Sequence, residues 1–478
     1  MFNKILRSKI TGFSGFFLFI AAIFVILLVQ RAFPYFLYGP FGFGYDTGIY
    51  KKTFEGILSV SDIFTSQVSI LPSFLAYLVD FFHLPMELYL YFFYIFASAF
   101  IVIPLYLLTR EYFGKEAGVV AAVLFTVSAI QVIASQFFLF KAMIGASFLL
   151  FSLYFYGKKS YLFYIFALLL AFTQLPQLLL LIVAVSFDAL IDFKNKKLFY
   201  FVGIFALLGL LSGLYIYNFD QLSNAINVVF SSLTGQGVGS FDSHQTGLFM
   251  TVTEYFGYAL YIFLFGIFGI FLSYKKEGVL PLQTGVIFVM VVIFWHLFFQ
   301  NRFVVEMDLL LMPFAAHFLV TVFKKYLKKL VFRRSAAAFL MAGVLVTTFL
   351  YYKTTLPALS DYEVYALEFI NEQKESNYVF VTDTRYAPWF YGFSNKITMA
   401  PGIFESVWDF DTWTVYHAGD VEKKVLMLTA LTEKYGTFYL FEGLNQADLN
   451  YQDKSSQIKR LFAVSNAKVY QILPQGNL

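Results

Sequence analysis

The chain has 478 residues, of which 59% are hydrophobic and only 13% are charged. A soluble globular protein carries about 25% charged residues, so this chain has too little polar surface to cover a folded particle in water. The composition excludes an ordinary soluble protein and indicates that lipid is the solvent for much of the chain. Cysteine is absent and the net charge is only +4. Disulfides, thiolate nucleophiles and cysteine-ligated metals are therefore excluded.

Long apolar runs fill most of the first 352 residues. A helix needs about 20 apolar residues to cross the hydrocarbon core of a bilayer. Charge-free runs of that length occur at 11–30, 88–109, 198–219, 255–274 and 278–301. Residues 117–157 contain one charge, Lys141, and predict two helices that turn near Ser135-Gln136. Residues 309–323 and 335–352 predict two shorter spans.

Residues 160–191 suit either one long helix or a hairpin of two short helices broken at 173–177. The positive-inside rule favours the hairpin, because it places 18 of the 23 Lys and Arg residues before residue 353 on the cytoplasmic side. The result is about eleven spans, with the N-terminus in the cytoplasm and the C-terminus outside. Ten of the fifteen acidic residues before residue 353 then lie on or near the outer face. The polar chemistry is therefore expected at that face.

Two outer loops are long, at residues 32–87 and 220–254. The apolar spacing in the first loop predicts short amphipathic helices that lie at the membrane surface. The second loop contains the glycine-rich stretch 234–240, which is either a flexible linker or a mobile lid over a site. Both loops belong to the predicted all-α membrane domain, residues 1–352.

From Lys353 onward the composition changes, because half of the acidic residues, 15 of 30, fall in the last 126 positions. Helices predicted over 361–373 and 422–435 alternate with strands. The predicted strands are 378–382, 437–441 and 468–473. This alternation is typical of a small α/β domain. We therefore expect an extracytoplasmic α/β domain over residues 353–478.

The segment Phe43–Tyr50 follows the first span and contains an acid, Asp46, flanked by glycines and tyrosines. A carboxylate at the membrane face is well placed to accept a proton from a substrate hydroxyl or to bind a divalent cation. The alternative is structural: Asp46 or Thr47 caps the helix that follows. One residue can do both jobs. Asp46 is our candidate catalytic residue, and Tyr45 beside it is a candidate substrate-binding residue.

Two basic residues near the outer ends of spans are candidates for binding a phosphate. Arg302 closes the ninth span, where its guanidinium fork suits a lipid phosphate; the alternative is an ion pair with Glu306, one turn later. Lys141 is the only charge in a 41-residue apolar region, about one turn inside the fourth span. It either serves a function there or snorkels to the interface. Asp308 is either a second acid that faces the bundle or a structural partner of Arg302 or Lys141, and we expect the pairing.

The five histidines show no metal-ligand spacing, and most are expected to be structural. His244 lies beside Asp242 in the candidate lid, so we add it, with Glu306, to the candidate substrate-binding residues. Whether a divalent cation is used stays open. No Walker motif, no Gly-x-Ser-x-Gly and no basic-aromatic surface for nucleic acid is found in the sequence.

Several segments, together with the span count, resemble the GT-C glycosyltransferases. This superfamily includes protein O-mannosyltransferases, oligosaccharyltransferase catalytic subunits and aminoarabinose transferases. The resemblance comprises the acid in the first outer loop, a Lys141-x-x-x-Gly145 segment, and Asn301-Arg302-Phe303 followed by Asp308. Three segments of the C-terminal region are also similar to outer domains of uncharacterised prokaryotic members. These segments are 366–372, 382–386 and 433–440.

This resemblance implies an inverting transfer of a sugar from a polyprenyl-phosphate donor at the outer face of a cell membrane. Asp46 would activate the acceptor, and Arg302 with Lys141 would hold the donor phosphate. The sequence lacks the Trp-Trp-Asp signature of oligosaccharyltransferases and the acidic pair that follows the acid in O-mannosyltransferases. The acceptor therefore stays open between a glycan, a lipid and a protein.

Two other functions compete with this one. A transporter or flippase needs polar groups near the bilayer midplane, broken helices and usually an internal repeat; the break at 173–177 is the one feature that fits. A polymerase or ligase of lipid-linked glycans also has many spans and large outer loops. The clustering of reactive groups at the outer face favours the transferase.

Overall fold

The computed structural model describes most of the chain. The described residues are 2–65, 69–191, 202–205, 249–277, 280–295, 297, 300–326, 342–343, 346, 348–350, 353, 355–401, 407–443, 451, 454–465 and 467–474. The chain divides into two compact units. The first is Met1–Leu37, Ile57–Gln236 and Ser243–Thr355, and the second is Tyr38–Gly56, Gly237–Asp242 and Leu356–Leu478. The second unit thus includes part of the predicted first outer loop.

Helices account for the described part of the first unit, as its long apolar runs predict. The helices up to residue 326, in chain order, are α1 (Phe2–Tyr38), α2 (Thr47–Glu55), α3 (Val60–Thr65), α4 (Ile70–Phe81), α5 (Tyr94–Phe100), α6 (Val102–Phe113), α7 (Lys115–Val127), α8 (Ala129–Gln136), α9 (Phe140–Gly157), α10 (Leu162–Ala171), α11 (Leu175–Ile191), α12 (Val252–Glu277), α13 (Pro281–Phe294) and α14 (Gln300–Tyr326). A 3₁₀ turn at Gly39–Gly42 precedes α2, which lies in the second unit. A π-helical stretch, Leu88–Phe93, precedes α5.

Five described stretches are long and apolar enough to cross a membrane. They are Leu18–Gly42, Leu88–Phe113, Phe140–Gly157, Val252–Tyr274 and Asn301–Tyr326. The bent pair α7 and α8 makes a sixth if it is one span, and α10, α11 and α13 are apolar but shorter. These helices indicate a membrane protein, while the count of eleven crossings and the side of each terminus stay predictions.

Two breaks between helices match the sequence, and a break at Ser128 does not. α10 ends at Ala171 and α11 begins at Leu175, which confirms the break predicted near 173–177. α8 ends at Gln136 and α9 begins at Phe140, close to the predicted turn. The unexpected break lies at Ser128, where α7 and α8 meet at an angle of 52°. There the Ser128 side chain accepts a hydrogen bond from the Gln131 N–H and caps α8.

The second unit contains a five-stranded mixed sheet. Its elements after residue 356 are α15 (Asp361–Glu372), β1 (Tyr378–Val381), α16 (Ala387–Phe393), β2 (Ile397–Met399), α17 (Phe410–Ala418), α18 (Val421–Tyr435), β3 (Phe438–Glu442), β4 (Ile458–Val464) and β5 (Ala467–Ile472). The strand order is β2-β1-β3-β5-β4. β1 pairs in parallel with β2 and β3, and β5 pairs antiparallel with β3 and β4.

Alternate residues of the central strands build two apolar cores, because successive side chains of a strand point to opposite faces. Val379 and Val381 join one core with Trp389. Phe380, between them, joins the other core with Trp413. Both tryptophans are almost fully buried. The sheet with helices on both sides is an α/β arrangement of the type predicted for this part of the chain.

Candidate functional site

Asp46 lies at the N-cap position of α2. A tight turn precedes the helix, since the backbone N–H and the side-chain hydroxyl of Thr47 both donate to the carbonyl of Gly44, at 3.1 and 2.8 Å. The Asp46 side chain makes no capping hydrogen bond, although the residue itself is buried. The sequence left open that Asp46 or Thr47 caps α2. The structure excludes Asp46 from this role, because its carboxylate makes no capping hydrogen bond. The first N–H groups of a helix favour negative charge at this end, which suits a carboxylate that acts as a base. Tyr45, next to it, is partly exposed.

Glu306 and Gln177 connect three helices of the first unit. The Gln177 side-chain amide, on α11, donates to the Glu306 carboxylate on α14 at 2.8 Å. It also donates to the backbone carbonyl of Ala142 on α9 at 3.0 Å. Glu306 and Gln177 are both buried. Because Ala142 follows Lys141, and Arg302 lies one turn before Glu306, this network fixes the backbone near both predicted phosphate-binding residues.

Gly145 is needed for this close approach of α11 to α9. A Cβ atom built on Gly145 would lie 2.2 Å from the side-chain oxygen of Gln177, which is far inside van der Waals contact. The glycine of the Lys141-x-x-x-Gly145 segment therefore makes room for Gln177. In this segment Lys141 supplies a positive charge, and Gly145 leaves space for the Gln177 amide, which donates to the Ala142 carbonyl in the first turn of α9.

Lys141 and Arg302 lie at the starts of their helices. Lys141 is the second residue of α9, in its first turn and partly exposed, and so is nearer the helix end than the sequence predicted. Arg302 is the third residue of α14 and is also partly exposed. Both positions leave the long side chains able to reach a polar headgroup while their helices stay in the apolar region.

Asp308 accepts hydrogen bonds from residues at the bend between α7 and α8, in place of the ion pair that the sequence predicted. One oxygen of its carboxylate accepts hydrogen bonds from the Ser128 hydroxyl at 2.7 Å and from the Gln131 amide at 3.0 Å. The same amide donates to the backbone carbonyl of Val305 at 3.0 Å. The expected pairing with Arg302 or Lys141 is replaced by these neutral donors. Asp308 faces α8 because it lies two residues after Glu306 on the same helix, and so on another side of it.

Each of the two buried carboxylates of α14 uses one oxygen in these bonds. Glu306 Oε2 and Asp308 Oδ1 have no hydrogen-bond partner among the residues that the structure describes. A buried acceptor is normally met by a protein group, water or a ligand. Of the two, Glu306 is in the network next to Lys141 and Arg302, which suits its predicted place in substrate binding.

The described residues bring Lys141, Glu306 and Arg302 into one unit, while Asp46 and Tyr45 belong to the other. His244 and the candidate lid lie outside the described residues. Sequence reasoning missed Gln177, Gln131 and Ser128, although amides and hydroxyls inside apolar runs are a usable signal.

Arg31 is a further residue that the sequence reading passed over. It lies in the Leu18–Gly42 stretch and is only 2% exposed, with its guanidinium carbon 5.8 Å from the centre of the Phe125 ring. An arginine buried in an apolar helix is costly and tends to be functional.

The described residues form no evident metal-binding site. No group of three or more His, Asp or Glu side chains comes together among them as a metal site requires.

Neither a family model nor a curated protein sequence matches the chain, but solved structures do. The crystal structure of ArnT from Cupriavidus metallidurans bound to undecaprenyl phosphate is similar, with a TM-score of 0.63 and 13% identity over 96% of this chain and 98% of that one. The archaeal oligosaccharyltransferase AglB from Archaeoglobus fulgidus, in complex with an inhibitory peptide and a dolichol-phosphate, gives a TM-score of 0.60 and 14% identity.

The AglB match covers 95% of this chain and 74% of AglB. A second structure of the A. fulgidus oligosaccharyltransferase, a complex with Zn and sulfate, gives a TM-score of 0.59 and 15% identity over 94% and 74% of the two chains. At such low identities the likeness concerns the fold. It spans nearly the whole of this chain, both the helices and the sheet. The chain therefore has the GT-C-like fold that its sequence motifs predicted.

Proposed function

We propose that this protein is an integral membrane glycosyltransferase that moves a sugar from a polyprenyl-phosphate donor to an acceptor, with inversion at the anomeric carbon. The observation that carries the proposal is the extent of the likeness to ArnT, whose structure holds undecaprenyl phosphate and whose fold matches 96% of this chain. Support comes from Asp46, a buried carboxylate that does not cap its own helix. Two cationic side chains at helix starts, Arg302 and Lys141, add to it.

In the proposed reaction, an acceptor oxygen attacks the anomeric carbon of the donor sugar from the face opposite the phosphate. Asp46 takes the proton of the acceptor hydroxyl as the new carbon–oxygen bond forms. The bond between the anomeric carbon and the phosphate oxygen breaks, and its electrons leave with the polyprenyl phosphate. One displacement of this kind inverts the configuration.

The leaving phosphate gains negative charge as the bond breaks, and cationic side chains placed there lower the barrier. Arg302 offers a planar fork that binds two phosphate oxygens at once, whereas Lys141 offers a point charge. Glu306 and Tyr45 are proposed to bind hydroxyls of the substrate, since a carboxylate accepts and a phenol donates hydrogen bonds. His244 stays a candidate for the same task.

We place the reaction at the outer face of the cell membrane, with the N-terminus in the cytoplasm and the α/β domain of residues 353–478 outside. The distribution of basic residues supports this orientation. The acceptor is a glycan, a lipid or a protein, and a divalent cation is an open requirement. The lipid part of the donor would lie in the bilayer.

A transporter or flippase is the second candidate, because two of its usual features are present. The helix pair α7 and α8 is bent by 52° at Ser128, and α10 and α11 are separated at residues 172–174. Broken helices near polar groups are typical of transporters. A polymerase or ligase of lipid-linked glycans is a further candidate, since such enzymes also have many spans and large outer loops.

The test uses the full chain reconstituted in nanodiscs with synthetic undecaprenyl-phosphate mannose, glucose and aminoarabinose, and a cell-envelope extract as acceptor. Release of free undecaprenyl phosphate is measured. We expect one donor to be consumed, and Asp46→Asn to lower turnover about 10²–10⁴-fold, the usual contribution of a general base. Glu55→Gln, at an exposed acid paired with Lys51 in the same segment, is the control. Full turnover by Asp46→Asn, or donor translocation without bond cleavage, contradicts the transferase.

A further inference from the structure

The segment that carries Asp46 is built into the α/β unit. The Phe41 ring lies 5.6 Å from the Trp389 ring and 5.2 Å from the Phe393 ring, both on α16. The carbonyl of Phe41 accepts a 2.7 Å hydrogen bond from the N–H of Ala358. Phe41 and Ile49 pack against the core on this side of the sheet. The residues on either side of Asp46 are thus anchored to the same core.

Two glycines bring α2 into backbone contact with α16. A Cβ atom built on Gly48 would lie 1.8 Å from the carbonyl oxygen of Pro388, and one built on Gly392 would lie 2.4 Å from the Gly48 Cα. The atoms met are backbone atoms, which cannot rotate away as a side chain can. Neither position therefore accepts any other residue unless the two helices separate.

A further contact joins α2 to α16, and two other side chains of α2 are buried. Tyr50 and Phe54 are buried, while the Lys51 ammonium lies 5.1 Å from the centre of the Phe393 ring. This distance is within the range of a cation–π contact. α2 is thus held to α16 by a backbone contact and by a cation–π contact.

We propose that α16 positions the Asp46 carboxylate, with Gly48 and Gly392 as positioning residues that set the separation of the two helices. The proposal rests on the function of Asp46 as the base. Asp46 is two residues before Gly48, so a shift of α2 is passed on to it with little loss. A methyl group at either glycine forces a separation of about 1 Å, and misplacement on this scale costs about 10²-fold in rate.

Hydrogen exchange on the unaltered full chain gives the first test. We expect the α2 amides of Tyr50 and Phe54 to exchange within tenfold of the slow amides of β1, since one body opens as one unit. Exchange of these α2 amides more than a hundredfold faster than β1 overturns the proposal, whatever the variants show. This measurement does not depend on any variant folding.

Turnover of Gly48→Ala and Gly392→Ala gives the second test, with Gly56→Ala as the matched control at the end of the same helix. A Cβ on Gly56 meets its nearest atom, the Lys52 carbonyl oxygen, at 3.4 Å, which is ordinary contact. We expect kcat to fall 10- to 100-fold in the two positioning variants, with the donor KM within threefold of the unaltered protein. Gly56→Ala should keep both constants within threefold.

The outcomes separate this inference from the proposed function. If Asp46→Asn keeps full turnover, the proposed function fails first. If Asp46→Asn abolishes turnover while Gly48→Ala and Gly392→Ala match Gly56→Ala, the function stands and the positioning proposal is wrong. A rise in donor KM with unchanged kcat also overturns it, because that result assigns the glycines to binding.

Discussion

Gln177 on α11 donates a 2.8 Å hydrogen bond to Glu306 on α14, 129 residues further along the chain. With its second bond to the carbonyl of Ala142, the amide holds together the helix that begins with Lys141 and the helix that begins near Arg302. A single neutral side chain thus fixes the frame of the proposed phosphate site.

Replacing this amide should weaken both stability and donor binding. Gln177→Leu removes two hydrogen bonds and leaves the buried Glu306 carboxylate without its described donor. Each such loss costs about 1–3 kcal/mol. We expect a lower thermal unfolding midpoint and a higher donor KM. Gln174→Leu is the control, since the Gln174 side chain makes no hydrogen bond among the described residues. Equal values for Gln177→Leu and the control would refute this role.

Gly145→Ala checks the same contact from the other side. The methyl group displaces the Gln177 side chain, so the double variant with Gln177→Leu should lose less than the sum of the two single losses. Gly257→Ala, at a glycine with nothing within 4 Å of a built Cβ, is the control. Additive losses would show that the two residues act separately.

Arg302→Lys should separate charge from geometry at the proposed phosphate site. Lysine keeps the positive charge but loses the planar fork that binds two oxygens. We expect the donor KM to rise about tenfold, equivalent to about 1.4 kcal/mol, and Arg302→Gln to raise it further. Arg110→Lys, in the last turn of α6, should leave the donor KM unchanged. An unchanged KM in Arg302→Gln would remove Arg302 from the site.

Asp308→Asn should be tolerated, whereas Asp308→Ala should not. An asparagine oxygen still accepts the bonds from Ser128 and Gln131, because neither donor requires a charge on its partner. Alanine leaves the buried Ser128 hydroxyl without its acceptor and leaves the Gln131 amide with the Val305 carbonyl alone. An unmet buried group costs about 1–3 kcal/mol. The thermal unfolding midpoint of the reconstituted protein is the measurement. If asparagine destabilises the protein as much as alanine does, the charge of Asp308 contributes to stability and its two hydrogen bonds are not a sufficient explanation.

The stability of the α/β unit should depend on Asp409 in acid. Hydrogen bonds from the Thr412 side chain, and next from its backbone N–H, hold the pKa of Asp409 below its ordinary value of 3.8. A lowered folded pKa gives stability that is present above the unfolded pKa and is lost as the pH falls through the folded pKa. We therefore expect tryptophan-monitored unfolding to lose a contribution below about pH 4.

Asp409→Asn should flatten that part of the pH profile, because asparagine still caps α17 but does not titrate. Asp411→Asn, in the first turn of the same helix, is the control, since Asp411 accepts no hydrogen bond among the described residues. A profile for Asp409→Asn that keeps its full acid slope would assign the loss to other carboxylates.

The α/β elements that span ten or more residues, and the strands β1 and β3 with their short apolar runs, are predictable from the sequence. The helix over Asp361–Glu372 and the strand over Tyr378–Val381 were found within a residue or two. α16 has no clear helical signal in the sequence, because its seven residues include Pro388 and Gly392 and show no helical period. β2 has three residues and depends on its neighbour for pairing.

The site was predictable only as single residues. Asp46 and Arg302 drew attention because a charge beside an apolar run is conspicuous. Their surroundings did not, because the bonds of Gln177 to Glu306 and of Ser128 to Asp308 join residues 129 and 180 positions apart. No local period encodes such pairs. The bend at Ser128 is not predictable either, because the sequence is apolar on both sides of this residue.

The α/β unit includes the early segment Tyr38–Gly56 as well as Leu356–Leu478, and this has a consequence for biosynthesis. The early segment leaves the ribosome some three hundred residues before the strands that complete its core. Closing so long a loop is slow, so the early segment waits without its partner while most helices insert. In a chain that stops before β3, the segment that carries Asp46 would therefore lack part of the core against which it packs, even though all the described apolar helices are complete.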